Sequence, residues 1–140
     1  MTHVGQESTG ADEVASLDHE AVRSVNQAFY DAFETKDATQ LLDVWEHSDR
    51  VQCGHPGWSI LRGWDEVGAS FAALSEGPEQ IQFVLTNERI EVLGDVAWVT
   101  IDENILGSQT SGTVSAINIF ARTADGWKLI SHHGNMVMQR

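Results

Sequence analysis

The alternation of apolar residues in the second half of the chain changes phase once, and that constrains the fold more than any other feature. Over residues 80–93 the apolar positions are first odd (Ile81, Phe83, Leu85) and then even (Ile90, Val92). Residues of like parity share one face of a strand. Both sets can face one core only if an extra residue is inserted between them. The phase change therefore predicts a β-bulge near Asn87 to Arg89, with a sharp bend at that point. Three further strands follow. Gly94-Asp95 reads as a two-residue hairpin turn, residues 96–106 return, and 107–112 form a longer turn before the strand 113–123. Asp125-Gly126 is the strongest hairpin signal and leads into a last strand over 127–138. Ala116 to Ala121 is apolar on both faces, which predicts a central strand covered on both sides.

Helical spacing comes earlier. Val22, Val25, Phe29, Ala32 and Phe33 define a stripe over residues 17–35. Asp37 can cap a second helix, with Gln40 as its capping-box partner and Leu41, Leu42, Val44 and Trp45 on the buried face. Residues 49–54 read as a short strand ended by Pro56-Gly57. A third helix over 64–75 carries Val67, Phe71 and Leu74 and stops at Gly77-Pro78. Residues 1–15 are polar and without period, and are expected to be a disordered lead-in, with 16–140 forming one domain. Helices first and strands second argue an α+β class: three N-terminal helices packed on a strongly bent antiparallel sheet. A bent sheet with helices across its mouth is a cone and encloses a hollow.

Composition narrows the partners. The chain has 140 residues, 41% hydrophobic and 21% charged, as expected for one globular domain. A formal net charge of −13 repels phosphate backbones and anionic lipid heads, which argues against nucleic-acid and membrane-surface roles. Cys53 is the only cysteine, so no intrachain disulfide forms. No apolar run is long enough to span a bilayer, and the first residues lack a signal-peptide layout, so a cytoplasmic location is the expectation.

Two segments concentrate polar chemistry. Residues 45–64 hold Cys53, His47, His55 and three indoles, Trp45, Trp58 and Trp64; the chain closes on Ser131-His132-His133-Gly134-Asn135. The element order resembles the NTF2-like superfamily and, more narrowly, its SnoaL-like group. His55-Pro56-Gly57-Trp58 through Leu61-Arg62-Gly63-Trp64 resembles one motif of bacterial members. Ala116-Ile117-Asn118-Ile119-Phe120, with Asp125-Gly126-Trp127-Lys128-Leu129-Ile130-Ser131-His132-His133, resembles another. The likeness implies a cystatin-like cone, a small-molecule pocket inside it and a homodimer formed through the convex sheet face. It does not imply one reaction, because the superfamily hosts isomerases, cyclases, dehydratases and binders. Compared with ketosteroid isomerase, the tyrosine position falls on Phe29, the base position near Cys53 or His55, and the second acid position on Asn118. Two of the three roles have lost their residue type, so steroid-type isomerisation is not supported.

If Asp125-Gly126 closes a two-residue loop, the ladder sets Asn118 opposite His133 and Ala116 opposite Asn135. Asn118, His133 and Asn135 are then candidate ligand contacts, and His132 points to the opposite face. That alternation excludes a His132/His133 chelate, and with no paired metal motif no metal site is expected. His55 either transfers a proton as general acid or base or hydrogen-bonds the backbone to fix the Pro-Gly turn. Trp58 and Trp64 either wall the cavity or belong to the core, and Tyr30 is a candidate pocket hydroxyl. One of Asp102 and Glu103 points inward; the pattern leaves open which. The expectation is a cofactor-free domain binding a small, largely apolar carbonyl- or hydroxyl-bearing molecule, either as an isomerase, cyclase or dehydratase or as a non-catalytic ligand-binding or protein-interaction module.

Overall fold

In a computed structural model, residues 10–107 and 111–138 are described. Helix α1 (Gly10–Thr35) buries Val22, Asn26, Phe29, Tyr30 and Ala32 on one stripe. It begins before the apolar stripe does, so residues 10–15 of the expected lead-in are helical; residues 1–9 lie outside the described part. Lys36 takes a positive φ of 57° and ends the helix. Asp37 then caps α2 (Ala38–Val44), its carboxylate accepting from the Gln40 N–H at 3.0 Å. Two short strands, β1 (Gln52–Gly54) and β2 (Leu61–Arg62), precede α3 (Trp64–Glu76).

The four long strands are β3 (Ile81–Leu93), β4 (Val96–Gly107), β5 (Ser111–Thr123) and β6 (Gly126–Met136), and the sheet order is β2-β1-β6-β5-β4-β3. The long strands form the expected antiparallel meander, but β1 joins β6 in parallel, so the sheet is mixed. Gly54 makes that junction close. A Cβ there would lie 2.2 Å from the ring Nδ1 of His133, which covers it.

The bulge falls where the phase change puts it. Thr86 pairs with Asp102 and Arg89 with Thr100, so Asn87 and Glu88 together oppose Ile101. Asn87 has φ 57° and its amide donates to Asp102 Oδ2 at 2.7 Å. Asp102 is thus used on the outside of the bend, and Glu103 is the residue turned in. Ala97, Val99 and Ile101 share the inward face of β4 with it.

The final hairpin departs from expectation, and the consequence reaches the site. The turn is Ala124 and Asp125, with Thr123 paired to Gly126, one residue earlier than an Asp125-Gly126 loop. The Thr123 hydroxyl donates to Gly126 O at 2.7 Å and accepts from the Asp125 N–H at 3.1 Å, while Gly126 takes φ 96° as the residue after the turn. That turn alone would set Asn118 opposite Ser131. An extra residue in β6, Ile130, then moves the partner on by one: Ile119 pairs with Ser131, Asn118 with His132 and Ile117 with His133. Beyond Ile130 the net displacement from the expected ladder is one residue, which exchanges faces along the rest of the strand. His132 turns into the cone; His133 and Asn135 turn out. The outer face of β5 is open, with Ile117 36% exposed, so the expected cover on both sides is not supplied by the described residues of this chain.

Candidate functional site

A cavity of about 340 Å³ lies between the concave sheet face, α1 and the loop after β1. Its walls are chiefly apolar, with Phe29, Phe33, Phe83 and Ile105 among them. The polar groups on the wall include Tyr30, His55, Glu103 and His132. Among the described residues no lysine or arginine lines it.

Tyr30, Glu103 and His132 are held by one buried network. His132 Nδ1 lies 2.6 Å from Asn118 Oδ1. The Asn118 amide nitrogen donates twice, to Asn26 Oδ1 at 2.9 Å and to the Tyr30 oxygen at 3.0 Å. Tyr30 donates in turn to Glu103 Oε2 at 2.6 Å. With both amide protons committed, Asn118 meets the imidazole through its oxygen, so His132 carries its proton on Nδ1 and leaves Nε2 as a lone pair. Asn118 itself is fully buried behind the wall, an orienting residue for both Tyr30 and His132.

His55 is set by the turn that follows β1. Gly57 takes φ 85°, and Trp58 N–H donates to His55 O at 2.9 Å. The ring Nε2 meets Ser70 Oγ at 2.9 Å, and that hydroxyl donates to Val67 O at 2.7 Å. The serine oxygen therefore accepts from Nε2–H, and Nδ1 of His55 is left as an acceptor. Both readings of His55 remain compatible with this position: its carbonyl fixes the turn while its ring lines the cavity. Trp58 stands at the mouth, half exposed, edge-on to His55 at 4.7 Å between ring centroids.

Burial sets the protonation states. His55 falls from 6.5 to about 4 through desolvation alone. His132 falls to about 3, through desolvation and then the neighbouring His55 and His133. Glu103 rises from 4.5 to about 7, because burial outweighs the opposing hydrogen bond from Tyr30. Tyr30 is pushed upward by burial and by the Glu103 charge, so its phenol stays protonated. Cys53, 3.7 Å from the His55 ring nitrogen, is pushed up to about 12 by burial and Glu103, which makes it an inert thiol rather than a nucleophile.

Of the expected site residues, Tyr30, His55 and Trp58 line the cavity. Trp64 does not: its ring stacks on His47 at 4.2 Å and packs near Trp45, on the far side of α3. His133 and Asn135 lie outside the cone, on an open basin with Asp102 and Ile117. His132 and Glu103 take the place expected of them. The sequence carried a signal for Glu103, which shares parity with Val99 and Ile101. For His132 the turn carried no such signal: the Thr123 hydroxyl shifts the ladder by two, which keeps the faces, and only the extra Ile130 turns His132 in.

An α+β cone with a bent sheet and an internal, semi-polar cavity defines an NTF2-like protein. Among solved structures, a Streptomyces avermitilis protein of the NTF2-like family, provisionally named a dehydratase, is 41% identical, with a TM-score of 0.83 over 89% of this chain and 99% of that one. A Thiobacillus denitrificans structure, provisionally named a calcium/calmodulin-dependent protein kinase type II association domain, is 28% identical, with a TM-score of 0.69 over 83% of this chain and 94% of that one. The Arabidopsis thaliana F-box protein SKIP8 is 25% identical over 118 residues, covering 84% of this chain and 50% of its own length. This chain thus spans about half of that relative. The SnoaL-like domain model matches residues 22–139, and the chain belongs to that family.

Proposed function

We propose that the cone cavity binds a small, mostly apolar hydroxy-carbonyl compound and dehydrates it by general acid/base chemistry without a cofactor. The observation that carries this reading is a buried carboxyl, Glu103, held near neutrality on a wall that also presents two uncharged imidazoles. At neutral pH Glu103 exists in both forms, as an acid–base group working near that pH requires. In the elimination, His55 Nδ1, left as an acceptor by the Ser70 contact, takes the proton α to the carbonyl. The C–H electrons form the new double bond as the β-hydroxyl departs. Protonated Glu103 gives that hydroxyl its proton, so the products are the unsaturated carbonyl and water. An imidazolium and a carboxylate remain, each stabilising the other in a medium that disfavours either alone, until solvent returns the proton. His132 is the second imidazole of the chamber, its ring centroid 6.4 Å from that of His55. The Streptomyces relative's name points the same way.

The test is an absorbance assay for conjugated product from a panel of aryl β-hydroxy ketones. Glu103→Gln should bind the same compounds and lose about two to four orders of magnitude in turnover. Binding with no turnover by the wild type across the panel would leave a ligand-binding module instead.

We further propose a homodimer through the convex face. Ile117, Thr100 and Ser115 are exposed there together with His133 and Asn135, an apolar-centred basin with a polar rim.

A further inference from the structure

Resting on the small-molecule reading above, we infer that the cavity selects an uncharged ligand and grips it through a donated hydroxyl proton, accepted by His132 Nε2, while excluding carboxylates. Three observations lead there. First, among the described residues no lysine or arginine lines the cavity, so a carboxylate or phosphate entering it would lose its water with no cation to replace it. Second, once Glu103 is ionised, the polar atoms left for a ligand are acceptors. His132 Nδ1–H is spent on Asn118, and Tyr30 O–H is spent on Glu103. His132 and Glu103 both line the cavity, and among the described residues neither His132 Nε2 nor the second oxygen of Glu103 is given a hydrogen-bond partner. Third, the network fixes these roles rather than leaving them to rotate, because Asn118 has both amide protons committed and its oxygen can only accept.

A hydroxyl therefore finds a ready acceptor. A ketone of the same shape finds an acceptor facing its own acceptor, and an anion finds this together with the carboxylate form of Glu103.

The experiment compares equilibrium binding of three phenylalkyl probes of one size, at a pH above the Glu103 value of about 7, by quenching of indole fluorescence, since Trp58 stands at the cavity mouth. The probes are benzylacetone, the alcohol made by reducing it, and hydrocinnamate. The alcohol should bind about fivefold tighter than the ketone, the difference of one net hydrogen bond, and on the order of a hundredfold tighter than hydrocinnamate. In His132→Phe the alcohol and ketone should bind alike. In the wild type, the nitrogen-15 resonance of His132 Nε2 should move on addition of the alcohol and stay with the ketone, a readout that needs no variant. Equal binding of alcohol and ketone, tighter binding of the carboxylate, an unmoved Nε2 resonance, or no saturable binding by the alcohol overturns the inference. Turnover enters none of these readouts, so loss of the dehydration reading with the binding order intact would remove that reading alone.

Discussion

His132 and Asn118 stand directly opposite each other on the last two strands, ring Nδ1 to amide Oδ1 at 2.6 Å, in the interior of the cone. The amide joins helix to sheet, since its nitrogen reaches Asn26 and Tyr30 on α1. One side chain thus fixes the imidazole's tautomer, the phenol's direction and the seat of the first helix.

Asn118→Leu keeps the volume and removes the polar centre. It strands the His132 Nδ1–H and the Asn26 oxygen in a buried site, and each stranded group costs about 1–3 kcal/mol. The expected loss is about 3 kcal/mol in urea unfolding. Nitrogen-15 spectra of the wild type should report one His132 tautomer protonated on Nδ1; the variant should show a mixture of tautomers.

The pH dependence of stability has two opposing limbs. Glu103 is at about 7 in the folded chain against 4.5 ordinarily. Between those values the folded chain keeps a proton that the unfolded chain has released, so Glu103 lowers stability as pH rises through the window. The imidazoles act in reverse. His55 and His132 sit at about 4 and about 3 against 6.5, so below 6.5 the unfolded chain takes up protons that the folded chain refuses, and stability falls as pH drops. Glu103→Gln should gain on the wild type from pH 4.5 upward and level off above about 7, by on the order of 3 kcal/mol relative to the acid end. His55→Gln should flatten the acid limb between 6.5 and about 4. Chemical denaturation at stepped pH reads both; parallel curves for wild type and Glu103→Gln would contradict the assignment of Glu103.

The proposed convex-face dimer turns on Ile117, the apolar residue between Ser115 and Ile119 on the outer face of β5. Ile117→Arg places a charge on both sides of a two-fold contact. Light scattering should show a dimer for the wild type and a monomer for the variant. An unchanged mass, with both variant and wild type folded, would place the contact elsewhere.

Gly134 is the inward neighbour of His132 on β6, and a Cβ there would lie 2.7 Å from Val114 Cγ1. Gly134→Ala over-packs a β-branched side chain that has no free rotamer to yield, at a cost of about 1–3 kcal/mol. Melting temperature should fall accordingly. Val114→Ala in the same chain should return most of the loss, because the clash is with that one methyl.

Much of the architecture was legible because burial enforces parity. The odd-to-even switch from Leu85 to Ile90 could mean only an inserted residue, and it lies at Asn87 and Glu88. Asp37 capped its helix for the reason its carboxylate suggested. The site was less legible because parity is unforgiving: a turn misplaced by one residue, combined with the extra Ile130, exchanged His132 for His133 and sent Asn135 outside. Trp64 was lost for another reason. An indole is equally suited to a cavity wall and to a core, and only the position of His47 beneath it decides between them. The start of α1 ran past its apolar stripe, because residues 10–16 are exposed and carry no period to read.

The same turn supplies the last test. Gly126 holds φ 96°, a conformation that disfavours a side chain, and it does so because Thr123 has drawn the turn back onto Ala124 and Asp125. Gly126→Ala must either bear that strain, about 1–2 kcal/mol, or let the turn move forward. The two outcomes differ at a distance. Strain alone lowers the melting temperature and leaves the His132 tautomer signal in place. A moved turn carries β6 with it and breaks the pairing of Asn118 with His132. Ile130, bulged between the turn and the site, is where the strand can absorb a local shift, so the expected result is lower stability with the His132 signal retained. Loss of that signal in a folded Gly126→Ala chain would show that the turn, rather than the Asn118 network, sets the register of the cavity wall.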